Sequence, residues 1–206
     1  MHMIFFTEEP SAEKVLQMII PKIISQCTFD IYTFQGKKDL LKKLPFRLNG
    51  FKSWVSDSYR FIILIDLDDD SCIELKNKME EIAKKTGLIT KSRKRSDGFF
   101  HVVNRIAIEE LEAWFFGDFD AMLKAYPKLP KTLLAKSKYK NPDKISGGTS
   151  ENLQRLLNRH GYYKNINYLP KIEVAQKISE YMEPERNRSK SFQVFRDTLK
   201  DMVLHV

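Results

Sequence analysis

The chain has 206 residues, 42% of them hydrophobic and 12% aromatic, a length that suits one domain, or one domain with an appendage, around a sizeable core. Lys and Arg number 35 against 27 Asp and Glu, a net charge of +8; such an excess draws polyanions and puts nucleic acid first among partners, though it also serves solubility. Eight Gly and eight Pro exclude a fibrous or low-complexity chain. Cys27 and Cys72 form no CxxC motif and no disulfide framework, which predicts a reducing, cytoplasmic setting. No apolar run approaches the ~20 residues of a membrane span. The opening MHMIFFTEEP has no basic n-region and reads as no signal peptide.

In chain order, Met3–Phe6 is a short apolar run that predicts a buried strand. Ser11 is a predicted helix cap, followed by Val15, Leu16, Ile19, Ile20, Ile23 and Ile24 at helical spacing, with a kink at Pro21. FDIYTF (29–34) predicts a second strand, and 39–55 a helix interrupted at Pro45. Phe61–Asp66 is a continuous Ile/Leu run, the mark of a strand buried on both faces. Ser71-Cys72-Ile73-Glu74 fits a capping box that opens a helix with Leu75, Met79, Ile82 and Ala83 on one face. FFHVVNRIAI (99–108) predicts a fourth strand, and 109–116 a helix. Such alternation implies a parallel sheet flanked by helices. From Asp118 onward the pattern is helical: 118–126, 149–160, 170–181 and 191–203, with a lysine-rich linker over 127–148. The expected organisation is an α/β core over residues 1–117 and a C-terminal helical extension over 118–206, packed on the core.

Acidic residues gather at the predicted strand ends. The third strand runs into Asp66, Asp68, Asp69 and Asp70. Asp69 and Asp70 suit a helix start, where acids complement the dipole. Asp66 and Asp68 are two apart, so strand geometry points them to one side, at the carboxyl end where α/β sheets bind ligands. Crowded like charges are costly unless a cation neutralises them, and hard oxygen donors point to Mg²⁺ or Mn²⁺. The first strand also ends in acids, Glu8 and Glu9. If strands 1 and 3 are neighbours, one of these faces the aspartates. Glu109, Glu110 and Glu112 follow the fourth strand; Glu112 reads as a solvated first-turn residue.

These stretches resemble the Toprim fold, in which an apolar strand ending in Glu precedes a strand ending in Asp-x-Asp. In its nuclease members the first strand typically reads Val-Glu-Gly-Pro-Ser-Glu; here it reads Thr7-Glu8-Glu9-Pro10-Ser11-Ala12, with Glu9 replacing the glycine. RIAIEELEAWFFGD (105–118) and MEPERNRSKSFQVFRD (182–197) are similar to signature stretches of an uncharacterised bacterial Toprim-like family related to the overcoming-lysogenization-defect (OLD) nucleases. The resemblance implies a Rossmann-like α/β fold and a metal-dependent phosphodiesterase or nuclease of DNA repair or phage defence. It implies Glu8, Asp66 and Asp68 as catalytic residues and ligands of Mg²⁺ or Mn²⁺, with Glu109 or Glu110 at a second ion, and a separately encoded ATPase as partner. No tyrosine presents itself as a topoisomerase nucleophile.

Two other readings stand beside it. ILIDLDDD is also similar to haloacid-dehalogenase phosphatases, but their motif continues with small or β-branched residues where Asp69 and Asp70 stand here. A non-catalytic module binding nucleic acid or protein is the other alternative. For nucleic-acid contact the candidates are Lys91, Arg93, Lys94 and Arg95, read as a loop beside the acidic site, and Arg186 and Arg188 ahead of the last helix; Arg186 also suits pairing with an acidic turn. Trp114 and His101 read as structural, and the four histidines show no metal-ligand spacing.

Overall fold

A computed structural model describes residues 1–53 and 55–204. Four parallel strands, β1 (His2–Thr7), β2 (Thr28–Thr33), β3 (Tyr59–Asp66) and β4 (Val102–Ala107), form one sheet in the order β2-β1-β3-β4. Thr7 pairs with Thr33 on one side and Leu64 on the other, and Asp66 pairs with Ala107. The strand carboxyl ends therefore lie along one edge.

Helices cover both faces. On one face, α2 (Lys37–Lys52) and α3 (Cys72–Lys85) bury Leu40, Leu44, Leu48, Leu75 and Met79 against Ile4, Phe6, Phe61, Ile63 and Ile65. On the other, Met3, Phe5, Ile62 and Leu64 meet α1 (Pro10–Ile23) and α8 (Lys190–Leu204). The alternation of neighbouring residues between the two clusters is the period-two pattern of strands covered on both faces. Between β4 and α8 come α4 (Glu112–Gly117), α5 (Phe119–Ala125), α6 (Thr149–Arg159) and α7 (Lys171–Tyr181). The cluster on the α1 side is continuous from Met3 to Met202 and takes in Trp114, Phe192 and Phe195. Trp114 is fully buried, as expected, and its indole N–H donates to Ser191 Oγ at 3.0 Å.

Several local expectations change. Helix α1 begins at Pro10, with Glu9 as its N-cap; Ser11 lies inside, donating to Glu9 Oε1 at 2.7 Å. Proline is pre-set for a first helical position, which moves the start ahead of the serine. Pro45 does not interrupt α2, because buried Leu40, Leu44 and Leu48 hold both halves on the sheet. The expected helix over 39–55 includes Trp54, which lies outside the described residues. Ser71 caps α3 as read, accepting from Glu74 N–H at 3.4 Å. At α8 the cap is Ser189, whose Oγ accepts from Phe192 N–H at 3.2 Å. Helix α7 runs parallel to α1: Lys22 of α1 donates to the carbonyls of Glu180 and Met182 at 2.7 and 2.8 Å, while Lys171 at the start of α7 meets Glu9. Among the described residues no helix is long and apolar enough to cross a membrane.

Candidate functional site

The strand order sets the place. From β1 the chain moves one way to β2, and β3 returns on the other side of β1. In open α/β sheets the crevice at such a reversal, outside the carboxyl ends, is where ligands bind. Glu8 leaves β1 there and Asp66 ends β3 there. Glu8 Oε1 accepts the Asp66 backbone N–H, so the two are in contact. Both are only 8% exposed.

The edge carries two groups of charge. On the α2 side, Lys37 Nζ lies 2.8 Å from Asp68, 2.7 Å from Asp70 and 3.0 Å from the Leu67 carbonyl. On the α7 side, Lys171 Nζ lies 3.3 Å from Glu9, 3.6 Å from Glu112 and 4.0 Å from Glu110. Glu8 and Asp66 sit between them. Gly36, in the left-handed conformation at φ 86°, donates its N–H to the Glu8 carbonyl at 2.7 Å and so ties the start of α2 to this edge.

Burial dominates the electrostatics. It pushes the Glu8 carboxyl up to about 7, the Asp66 amide bond opposing and the Asp68 charge adding. Asp66 is raised well above the carboxylate range, by burial first and then by Glu8 and Glu112. Glu112 is also pushed up to about 7 by burial, with Lys171 opposing. For Lys171 burial favours the neutral form, but the charges of Glu112, Glu9, Glu110 and Asp66 overcome it and hold the ammonium well above its ordinary range. Lys37 is likewise raised by its bonds to Asp68 and Asp70 against burial. Perturbed carboxyls gathered in one crevice are a mark of functional sites.

Asp68 and Glu109 adopt left-handed backbone conformations, φ 48° and 64°, and are joined by the Asp68 N–H to the Glu109 carbonyl at 2.8 Å. Non-glycine residues hold such conformations only when their surroundings enforce them. With Asp69, Glu110, Gly148 and Glu151 they line a cavity of about 320 Å³. Glu110 also caps α6, accepting from Thr149 Oγ1 at 3.0 Å and Ser150 N–H at 2.8 Å. The structure thus brings Glu8, Asp66, Asp68, Glu109 and Glu110 to one edge.

Other expectations are corrected. Glu112 is not a solvated first-turn residue: it is 1% exposed, and its Oε2 has no hydrogen-bond partner among the described residues. The basic run does not flank the acids. Lys91–Arg93 leads into β4 from its amino end, so the run lies at the opposite edge, ~20 Å away along a six-residue strand. There Lys91 pairs with Asp201 at 3.0 Å, Arg95 pairs with Asp97 and lies over the Phe99 ring, and Arg93 and Lys94 are exposed. Arg186 grips buried Asp118 through two bonds of 2.9 and 3.0 Å, which fixes the α4–α5 junction. Arg188 donates its backbone N–H to the Gly117 carbonyl at 2.9 Å and exposes its side chain. Sequence reasoning missed Lys37, Lys171 and the burial of Glu112.

The donor set is of the kind a hard divalent cation takes, since its candidate ligands, Glu8, Asp66, Asp68, Glu109 and Glu110, all offer carboxylate oxygens. Among the described residues, no group of three or more His, Cys, Asp and Glu side chains is arranged as a ready cation site.

The architecture is thus a four-stranded parallel α/β fold, helix-covered on both faces, with an acidic, lysine-bridged crevice at its topological switch. The chain belongs to the family described as "Domain of unknown function (DUF4276)", which matches residues 7–200. No curated protein matches it. Among solved structures it is similar to the C-terminal region of the Burkholderia pseudomallei OLD protein, with 12% identity, 96% of this chain and 98% of that chain covered, and a TM-score of 0.46.

Proposed function

We propose that the chain is a Toprim-like, metal-dependent phosphodiesterase acting on nucleic acid. The observation that carries this reading is the bond from the Asp66 backbone N–H to the buried Glu8 carboxyl, which sets two acids, each held well above its ordinary pKa, side by side at the switch point of a parallel sheet. The Glu-Glu-Pro-Ser and Asp-x-Asp motifs at the same strand ends support it. Glu8, Asp66 and Asp68 would hold Mg²⁺ or Mn²⁺, with Glu109 and Glu110 beside them. Bound there, a divalent ion would supply the charge that acidifies a water and neutralises a leaving oxygen. Glu8, near 7 and with Oε1 committed to the Asp66 amide, is suited to hold or release a proton at Oε2. Lys171 and Lys37 place fixed positive charge on either side, where a phosphodiester would develop negative charge.

One observation favours the non-catalytic module instead. Lys37 and Lys171 already neutralise much of the acidic edge, so the cluster has partners without any metal. The deciding experiment compares wild type with Asp66→Asn, which removes a charge and keeps the shape. The nuclease reading expects a folded variant, loss of stabilisation by Mn²⁺, and cleavage of labelled DNA or RNA reduced by orders of magnitude. A wild type whose melting ignores Mn²⁺ and which cleaves nothing returns the site to the binding module.

A further inference from the structure

A second cleft, of about 500 Å³, lies between α3 and α8 along β4, the sheet's outer strand. Four cations line it: Lys76, Arg105, Lys144 and Lys190. Among the described residues none of the four is in an ion pair, unlike Lys37 and Lys171. The acid in its wall, Asp143, is spent on structure. It accepts from Ser189 Oγ at 2.7 Å and from the backbone N–H groups of Lys190 and Ser191 at 2.6 and 3.0 Å. Arg105 is positioned by Thr198, 2.8 Å from its Nε, and by the Asn104 carbonyl at 2.8 Å.

The rest of the wall is apolar: Ile106, Ile108 and Val194. Asn104 also lines the cleft and is 5% exposed. Its amide nitrogen is fixed on Glu80 at 2.7 Å, while its Oδ1 has no partner among the described residues. Unsatisfied buried acceptors call for a donor. Four unpaired cations, an apolar wall and a spare acceptor match phosphate, base and exocyclic amino group. The volume is that of a small-ligand site and too confined to take in a duplex.

The cleft also adjoins the acidic edge. Ile108 immediately precedes Glu109, and Cys72, another lining residue, lies two positions after Asp70. The segment after Asn141 continues from this cleft to Gly147 and Gly148 of the acidic cavity. We propose that the cleft seats one nucleotide unit of a single-stranded polynucleotide, phosphates on the four cations and base against Ile106, Ile108 and Val194. The strand so held runs on to the carboxylates. This rests on the proposed function only for what happens at the end of that path.

The test is fluorescence anisotropy with a labelled single-stranded oligodeoxynucleotide, in EDTA so that cleavage plays no part. Lys76, Lys144 and Lys190 are exposed, so the triple alanine variant is expected to fold, as a melting curve checks. Its affinity is expected to fall at least tenfold, and its salt slope by about 0.7 per lost phosphate contact. Val194→Trp fills the cleft without touching charge; it should weaken binding and leave the slope unchanged. Weakened binding in both cleft variants, found together with a wild type that cleaves nothing in Mn²⁺, would remove the nuclease reading and keep this one. Wild-type affinity in both cleft variants overturns the proposal, as does a wild type that binds no strand. Equal competition by a duplex overturns the single-strand assignment, and equal competition by deoxyadenosine monophosphate overturns a polynucleotide in favour of a free nucleotide.

Discussion

Replacing Lys171 by Met keeps the aliphatic stem and removes the charge that faces Glu9, Glu110 and Glu112. Its Nζ is 3.6 Å from Glu112; at an effective dielectric of ~20 that attraction is about 4.6 kcal/mol. Part of it offsets desolvation, and removing one partner of a buried pair costs about 3–5 kcal/mol. The expected loss is therefore about 3 kcal/mol at pH 8, read by urea denaturation. The pH dependence has a defined sign. The Glu112 carboxyl is raised from 4.5 to about 7 in the folded protein, and without Lys171 it rises further. A raised carboxyl loses stability as pH climbs through its folded value. The variant's loss should therefore be smaller at pH 5, where Glu112 stays protonated in both, and largest above pH 7. Adding Glu112→Gln should recover half or more of the loss at pH 8. A loss under ~1 kcal/mol, or no recovery in the double variant, would show that Lys171 does not hold this edge together.

Phe195 is fully buried between Phe5, Trp114 and Phe192, so Phe195→Ala should cost about 3–5 kcal/mol in the same urea assay. His101 accepts the Ile89 N–H on Nδ1 at 3.2 Å, and burial lowers its pKa below 6.5 despite the opposing Asp57 charge. A histidine depressed in the folded state loses its stabilising contribution as pH falls below the unfolded value, so the advantage of wild type over His101→Asn should shrink between pH 7 and 5; a constant difference in melting temperature refutes it. Because the basic run sits at the amino edge, replacing Arg93, Lys94 and Arg95 together by Ala should leave the salt slope of single-strand binding unchanged, and a drop of about two units would put phosphates there after all.

The strand ends were readable because chemistry and period coincide there: Ile62-Ile63-Leu64-Ile65 is short and rich in β-branched residues, which favours a strand buried on both faces, and Asp66 then falls at its carboxyl end. The cations were not readable. Lys37 and Lys171 are single lysines in a chain with 35 Lys and Arg, and only tertiary packing of α2 and α7 brings them to the acids. Glu112 misled because an acid in a first turn ordinarily faces water; the signal against it was AWFFG, which buries every residue of α4. The basic run was misplaced although the pattern held the answer. In a parallel α/β chain a segment between a helix and the next strand lies at the amino edge, opposite any site at strand carboxyl ends.

Lys171 reaches Glu9 across 162 positions of chain, and this orders events during synthesis. Glu8, Asp66 and Glu112 have all left the ribosome while about 60 residues remain before Lys171, roughly 3–12 s at ordinary elongation rates. Throughout that interval the nascent crevice lacks its α7 ammonium and keeps only Lys37 on the α2 side. An unfinished chain therefore holds Glu9, Glu110 and Glu112 without their common ammonium until α7 docks.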